Sequence, residues 1–454
     1  MTLLHEYSEF AVLQARRQGP PEAIHHAKRA VLDWLASLYP GTRCAPATLL
    51  VQAFREELGV GHSSLVGFGC SSFPATAAWV NGTASHAVEY DDIFREAVYH
   101  PGPPTIAAAL AVAEARNAPG KAFLNAIVVG YEISTRIGAA LQPSHVRQFH
   151  ATGTVGCLGA AASAAVLYAP TDAGVVRHAL ATATTFASGL QQALRSEAMT
   201  KPLHAGHAAA VGVRAAQAAA HGVTGAADIL EGPVGLGAVM SSGARWETAT
   251  QGLGEVYNIT RITHKVHACC GHQFPAIDAI LALRAQHGID PADIEAIHIA
   301  TYQEAIDATG RFDPRTAYEA KFSLPYVVSH AIVHGAVLLD AFEPERVNDP
   351  LMRALMQRCT LEGDPVLSAG FPSQRAARVT ITTRDTRQFT HFAPHRRGDP
   401  ESPLSDADLS AKFEDLCGPV IGLERTRHLR DLVWRLDEIS VRDLALAVAL
   451  LRFP

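Results

Sequence analysis

The sequence predicts a mainly helical protein in which both chain ends build one large all-helical domain and a smaller α/β domain is inserted between them. Three observations carry this. Helical patterns broken by Gly, Pro or short polar stretches follow one another to about residue 260, with almost no strand signal. Alternating β-branched runs appear only after about residue 264, and a Pro-rich connector before residue 405 precedes a return to helix. The expected boundaries are 1–264 and 401–454 for the helical domain and 265–400 for the inserted one.

In the first part, Pro104 to Arg116, Lys121 to Leu141 and His207 to His221 are Ala-rich helical patterns whose small side chains let helix backbones approach closely. Helices are also expected over Phe274 to His287 and Leu324 to Leu339 in the inserted part. Around them, Ile294-Glu-Ala-Ile-His-Ile-Ala-Thr301 and Arg378-Val-Thr-Ile-Thr-Thr383 alternate as strands do. Arg384 to Arg387 reads as a turn into a further strand, Gln388 to Phe392. Pro394 to Pro403 is the connector, and Ser405-Asp-Ala-Asp-Leu409 caps the return to helix.

Composition bounds the function. With 454 residues, 48% of them hydrophobic, the chain can bury a large core, and two domains are a better expectation than one. A net charge of −6 without a Lys/Arg block leaves no electrostatic footprint for nucleic acid or an acidic membrane. The first residues, MTLLHEYSEFAVLQARRQG, lack the layout of an export signal. The apolar stretches Ile106 to Ala113 and Val155 to Ala169 are shorter than a bilayer needs and read as buried helices. Seven scattered cysteines form neither a disulfide framework nor a CxxC pattern, which fits a cytoplasmic setting.

Four segments gather ionisable side chains beside Gly or Pro. In His86-Ala-Val-Glu-Tyr-Asp-Asp92, followed by His100-Pro-Gly, a carboxylate can orient an imidazole and raise its basicity. The rival there is a cation site on Asp91, Asp92 and His100, although no HxH or HxxxH spacing supports zinc, and surface charges with a helix cap would also explain the two aspartates. In Phe149-His-Ala-Thr-Gly-Thr-Val-Gly156, Thr152 or Thr154 is expected to cap a helix whose amides favour an anion beside His150. The glycines at 153, 156 and 159 equally suit close helix packing, and the spacing is not that of a dinucleotide fold.

Lys201 precedes a proline at a helix start, with His204 and His207 following. The helix dipole there disfavours a protonated lysine, so Lys201 can serve in proton transfer or pin a carboxylate, against a default of plain solvent exposure. The last segment, His264-Lys-Val-His267-Ala-Cys-Cys-Gly-His272, falls at the domain boundary, where small-molecule sites are common. Cys269 and Cys270 suggest a nucleophile, but nothing around them matches a cysteine hydrolase, and buried packing is the commoner use of a free thiol.

In this order the segments resemble the MmgE/PrpD family of 2-methylcitrate dehydratases, cis-aconitate decarboxylases and iminodisuccinate epimerase, over nearly the whole chain. The resemblance rests on Asn81 to Asp92, His100-Pro-Gly, Phe149 to Gly156, Lys201 to Gly206, Cys-Cys-Gly-His272, Ala320-Lys-Phe-Ser-Leu-Pro325 and Pro403-Leu-Ser. It implies a helical domain with an inserted lid domain, a homodimer, and activity without metal, nucleotide or iron–sulfur cluster. Carried over residue by residue, it places catalytic groups at Glu89, His100, His150, Lys201 and His272; Asp92, Thr154, His204 and His267 are the expected substrate contacts. Glu89 stands where Asp is usual and Ile93 where Thr is common, and Ile93 to Tyr99 lacks the Glu-Trp-Gly-His-Pro pattern of methylcitrate dehydratases.

The expected function is therefore a cofactor-independent lyase or epimerase that moves a proton on a small di- or tricarboxylate. Lys201 and His150 would transfer protons, His100 and His272 would bind a carboxylate or move a second proton, and Glu89 would orient an imidazole. The loss of Thr at Ile93 speaks against a substrate identical to cis-aconitate. Methylcitrate or citrate dehydration is the alternative within the family; outside it stand a non-catalytic paralogue and a metal-dependent hydrolase.

Overall fold

The computed structural model describes residues 2–17, 19–196 and 198–449. The protein is mainly helical, and the chain falls into two compact units: residues 1–263 with 405–454, and residues 264–404.

The first unit is a stack of helices around Thr200–Ala220, which packs against Pro74–His86, Gly102–Ala115, Gly156–Tyr168 and Ala173–Thr185. Alanine makes this possible: it has the highest helix propensity and brings no bulk to the contact. Gly156–Tyr168 is buried on every side over nearly its whole length, as a helix apolar all round must be. Ala151–Tyr168 is long and apolar enough to cross a membrane, yet 89% of it is buried inside this helical stack. Thr200–Ala220 opens at the Lys201-Pro start read from the sequence and runs on through the Ala-rich pattern from His207, so Lys201 and His204 both lie on it. The low strand signal of this region hides one short antiparallel hairpin, β1 (Ser63–Leu65) with β2 (Cys70–Ser72).

The C-terminal helix Asp406–Ile421 opens with a reciprocal capping box between Ser405 and Asp408 and packs on Pro21–Gly41. From it, Lys412 Nζ donates to Asp33 Oδ1 at 2.6 Å and to the Tyr90 carbonyl at 2.9 Å. The end of the chain thus fixes the backbone of the 87–92 segment.

The second unit is built on a four-stranded sheet in the order β4-β3-β5-β6, with β3 at Ile294–Thr301, β4 at Cys359–Gly363, β5 at Ala377–Thr383 and β6 at Gln388–Ala393. β3 runs parallel to β4 and antiparallel to β5, which pairs antiparallel with β6. The helix Phe274–His287 covers β5 and β6 and packs against Leu324–His334. Three of the four strands carry the alternation read from the sequence. β4 was not expected: Cys-Thr-Leu-Glu-Gly is short and half exposed, and it is a strand because β3 offers it a free edge.

Candidate active site

The 74–86 helix ends at His86, and Glu89, three residues on, takes a left-handed backbone with φ of +62°. Lys412 on the Tyr90 carbonyl holds that bend. Beyond it Asp91 and Asp92 have different neighbours. Asp91 Oδ2 lies 2.8 Å from His86 Nδ1 and 2.9 Å from His100 Nδ1. Asp92 accepts from the Gly102 amide at 3.0 Å and from the Tyr131 hydroxyl at 2.7 Å. The two histidines hold the Asp91 carboxyl well below the usual range against the opposing effect of burial. Asp92 is pushed up to about 8 by burial and by the nearby carboxylates of Asp33 and Asp91.

His100 is set by a second strained residue. Val98 has φ of +48°, a conformation costing a β-branched residue roughly 1–2 kcal/mol, and the Phe94–Tyr99 bridge closes the loop around it. The His100 amide then donates to Thr152 Oγ1 at 3.3 Å.

His150 caps the turn Ala151–Thr154 with its backbone, and its amide donates to the Gly189 carbonyl at 2.9 Å. The expected threonine cap is not used. Thr154, 1% exposed, has its hydroxyl 2.8 Å from His145 Nε2, so it is occupied within the fold instead of facing a ligand. Gly153 explains the close fit here, since a Cβ on it would lie 2.5 Å from the Ser188 carbonyl and 3.1 Å from His204 Cβ. Across that gap His150 Nδ1 and His204 Nδ1 are 3.1 Å apart. His86 stacks on His150 with ring centres 5.7 Å apart. Burial first, then the positive field of His86 and Lys201, holds the His150 pKa well below its ordinary value; the same causes bring His204 to about 4.

Lys201, in the first turn of the 200–220 helix, is ion-paired to Glu89, each side chain being 11% exposed. The carboxylate set against imidazoles is Asp91, while Glu89 is paired with a lysine. Asp92 has both oxygens engaged within the fold and is 3% exposed. The cation set read from the sequence changes in the same way. The donor atoms within 4.8 Å of one another belong to His86, Asp91 and His100, not to Asp92.

The first unit therefore brings together Glu89, His100, His150, Lys201 and His204. His272 and His267 belong to the second unit. There His272 Nδ1 is 2.8 Å from the Tyr302 hydroxyl, and Tyr302 stacks on Phe371, which Arg375 covers from 5.5 Å. Burial, with Arg375 and Arg396, brings the His272 pKa to about 3, so its imidazole is neutral. His267 Nε2 lies 3.0 Å from Asp278 Oδ1. Burial keeps the Cys269 thiol protonated, which removes its nucleophile reading.

Two groups were passed over in choosing site residues. His86 and Asp91 lie in the quoted motif, but their five-residue spacing spans a helix end and matches no helical or strand periodicity.

Residues 6–249 match the model of the MmgE/PrpD N-terminal domain and residues 267–438 that of the MmgE/PrpD C-terminal domain. A cis-aconitate decarboxylase-like protein, oryM, of Aspergillus oryzae is 26% identical over 449 residues, covering 92% of this chain and 91% of that protein. The cis-aconitate decarboxylase of Homo sapiens is 26% identical over 448 residues, with 95% and 90% covered. That of Aspergillus terreus is 25% identical over 460 residues, with 96% and 93% covered. With both family domains matched in order along one chain, this protein belongs to the MmgE/PrpD family.

Proposed function

We propose that the protein is a cofactor-independent lyase that decarboxylates a small polycarboxylate of the cis-aconitate type by proton transfer. The observation that carries this is the buried Lys201–Glu89 pair acting on a neutral His150: a proton carrier beside an imidazole that holds no second proton at rest. The decarboxylase names of the relatives support the reaction class.

Decarboxylation of an allylic carboxylate breaks one C–C bond. Its electron pair forms a new alkene with the neighbouring carbon, the old alkene pair takes a proton, and CO2 leaves. One proton is consumed. Lys201 delivers it, Glu89 holds the lysine in place, and neutral His150 offers a hydrogen bond to a substrate carboxylate. Donors fixed in a site shielded from water stabilise developing charge far better than solvent does, and losing one typically costs about 2.7–4 kcal/mol of barrier. Ile93 stands where the family commonly has Thr, and its amide and carbonyl are bound to Thr263 at 2.9 and 2.8 Å. Its side chain offers a substrate no hydrogen bond, so the preferred acid differs from cis-aconitate at one polar contact.

The test is NMR in deuterated water with cis-aconitate and related tri- and dicarboxylates. CO2 release with one solvent deuterium in the product is expected, with a loss of roughly 10²–10³-fold in Lys201→Ala and in His150→Ala. Exchange at an α-carbon without CO2 would replace decarboxylation by epimerisation. Wild-type turnover in both variants would overturn the residue assignment.

A further inference from the structure

Glu89, the acid paired with Lys201, sits in the left-handed region at φ of +62°, a conformation that a non-glycine residue keeps only where its surroundings over-determine it. The residue after it is held from the far end of the chain. Lys412, buried on the Asp406–Ile421 helix, donates from Nζ to the Tyr90 carbonyl at 2.9 Å and to Asp33 Oδ1 at 2.6 Å. The same ammonium lies 4.4 Å from the centre of the buried Tyr90 ring.

We propose that Lys412 is a positioning residue for the reaction: gripping Tyr90 by its carbonyl and its ring, it keeps Glu89 turned to Lys201 and so sets where the proton of Lys201 is delivered. The inference rests on the proton-delivery role proposed for Lys201 and adds what aims it.

A carbonyl belongs to a rigid peptide plane, so holding it fixes the torsions on either side, here ψ of Tyr90 and φ of Asp91. The ring contact holds the side chain of the same residue, and Tyr90 cannot turn without breaking a contact to Lys412. Only residues 87 to 89 join the end of the Pro74–His86 helix to Tyr90. With both ends of so short a link held, the chain must turn sharply within it, and Glu89 carries the turn. The ammonium itself has a fixed seat. Asp33 offers it a charge-assisted hydrogen bond from the Pro21–Gly41 helix, and Lys28 and Arg29 of that helix pair with Asp437 and Asp406 of the C-terminal segment. A misplacement of about 1 Å caused far from the chemistry can cost on the order of 10²-fold in rate. A lysine serving stability alone would instead leave the rate per folded molecule unchanged.

Lys412→Met alone takes the lysine from a buried acid, so the test uses Lys412→Met with Asp33→Asn, which removes both charges together, and Lys412→Arg as the conservative variant. The hold on Lys201 is read without substrate, from side-chain ammonium signals of 15N-lysine-labelled protein at low temperature. The chain has six lysines, and the Lys201 signal is assigned by its loss in Lys201→Met. Expected is a slowly exchanging Lys201 ammonium in the wild type and in Lys412→Arg, lost to fast exchange in the double variant while its circular dichroism stays that of the folded protein. Turnover should fall roughly 10²-fold in the double variant with KM little changed. With Glu89→Gln already present the further fall should be about 2-fold or less, because changes acting through one contact do not add. The full loss repeated in the Glu89→Gln background overturns the proposal. So does a Lys201 ammonium still protected in the folded double variant, or one exchanging freely in the wild type. If no acid in the panel turns over, the functional reading fails and the ammonium signals alone decide whether Lys412 aims the pair.

Discussion

His150 Nδ1 and His204 Nδ1 face each other at 3.1 Å. Two imidazole nitrogens at that separation share one hydrogen, so one ring donates, the other accepts, and the tautomers of both are fixed together. Burial keeps both pKa values low, which makes the pair neutral and its donor direction the variable that matters. His204→Ala is expected to leave the His150 ring free to turn and to lower turnover about 10-fold or more, whereas His204→Asn, which can still pair, should retain most of it. Steady-state kinetics with the identified acid decides this, and equal rates in wild type and His204→Ala would remove His204 from the site.

Breaking the Lys201–Glu89 pair should cost stability as well as rate. Either partner left alone is a charge in a largely buried place, a loss of about 3–5 kcal/mol in comparable cases. Lys201→Met is expected to lower the unfolding midpoint markedly, and the double variant Lys201→Met with Glu89→Gln to regain much of it while remaining inactive. Thermal melts beside activity assays separate the two effects. A single variant as stable as the wild type would mean that the pair is solvated.

Asp92 gives the stability a pH dependence of definite sign. Its folded pKa, about 8, lies above its ordinary value of 3.8, so the folded chain binds the extra proton between those values. Its contribution is fully present at low pH and is lost as pH rises through the window from about 4 to about 8. Asn at 92 mimics the neutral acid: its oxygen can accept from Gly102 while its amide donates to the Tyr131 oxygen. Asp92→Asn should therefore melt like the wild type at or just below pH 4 and at a higher temperature near pH 8.5. A parallel pair of melting curves across that range would contradict the raised pKa. The shift of Asp91 has the opposite sign: its stabilisation is present above the unfolded value and is lost only in strong acid.

Gly206 lets two helices touch. A Cβ there would strike the Trp79 carbonyl and the Thr83 hydroxyl on the 74–86 helix, and the backbone carbonyl has no way to retreat. Gly206→Ala is expected to destabilise by about 1–3 kcal/mol and, by pushing the 200–220 helix outward, to separate Lys201 from Glu89. Calorimetry with kinetics tests this; unaltered turnover would show that the helix start moves independently of the contact.

Much of this architecture could be read along the chain. The helix Phe274–His287 and strand β3 have the limits expected from periodicity, because each carries its own apolar pattern. β4 and the β1–β2 hairpin were illegible for the converse reason: short and weakly patterned, they are strands only through a neighbour's hydrogen bonds. The start of the 200–220 helix was legible too, because Lys201-Pro reads as a helix start: proline fits the first turn, where its missing N–H is no loss.

The sequence by itself determined the helical character, the family motifs and the kinds of groups available: imidazoles, a lysine and paired acids beside glycine and proline. Local propensity and residue chemistry are properties of short stretches, so they survive in one dimension. Which acid meets which base was decided only in three dimensions. The left-handed bend at Glu89, held by Lys412 from the far end of the chain, turns Glu89 to Lys201, Asp91 to two histidines and Asp92 to Tyr131. Adjacent residues carry no information about direction until such distant contacts fix the backbone between them.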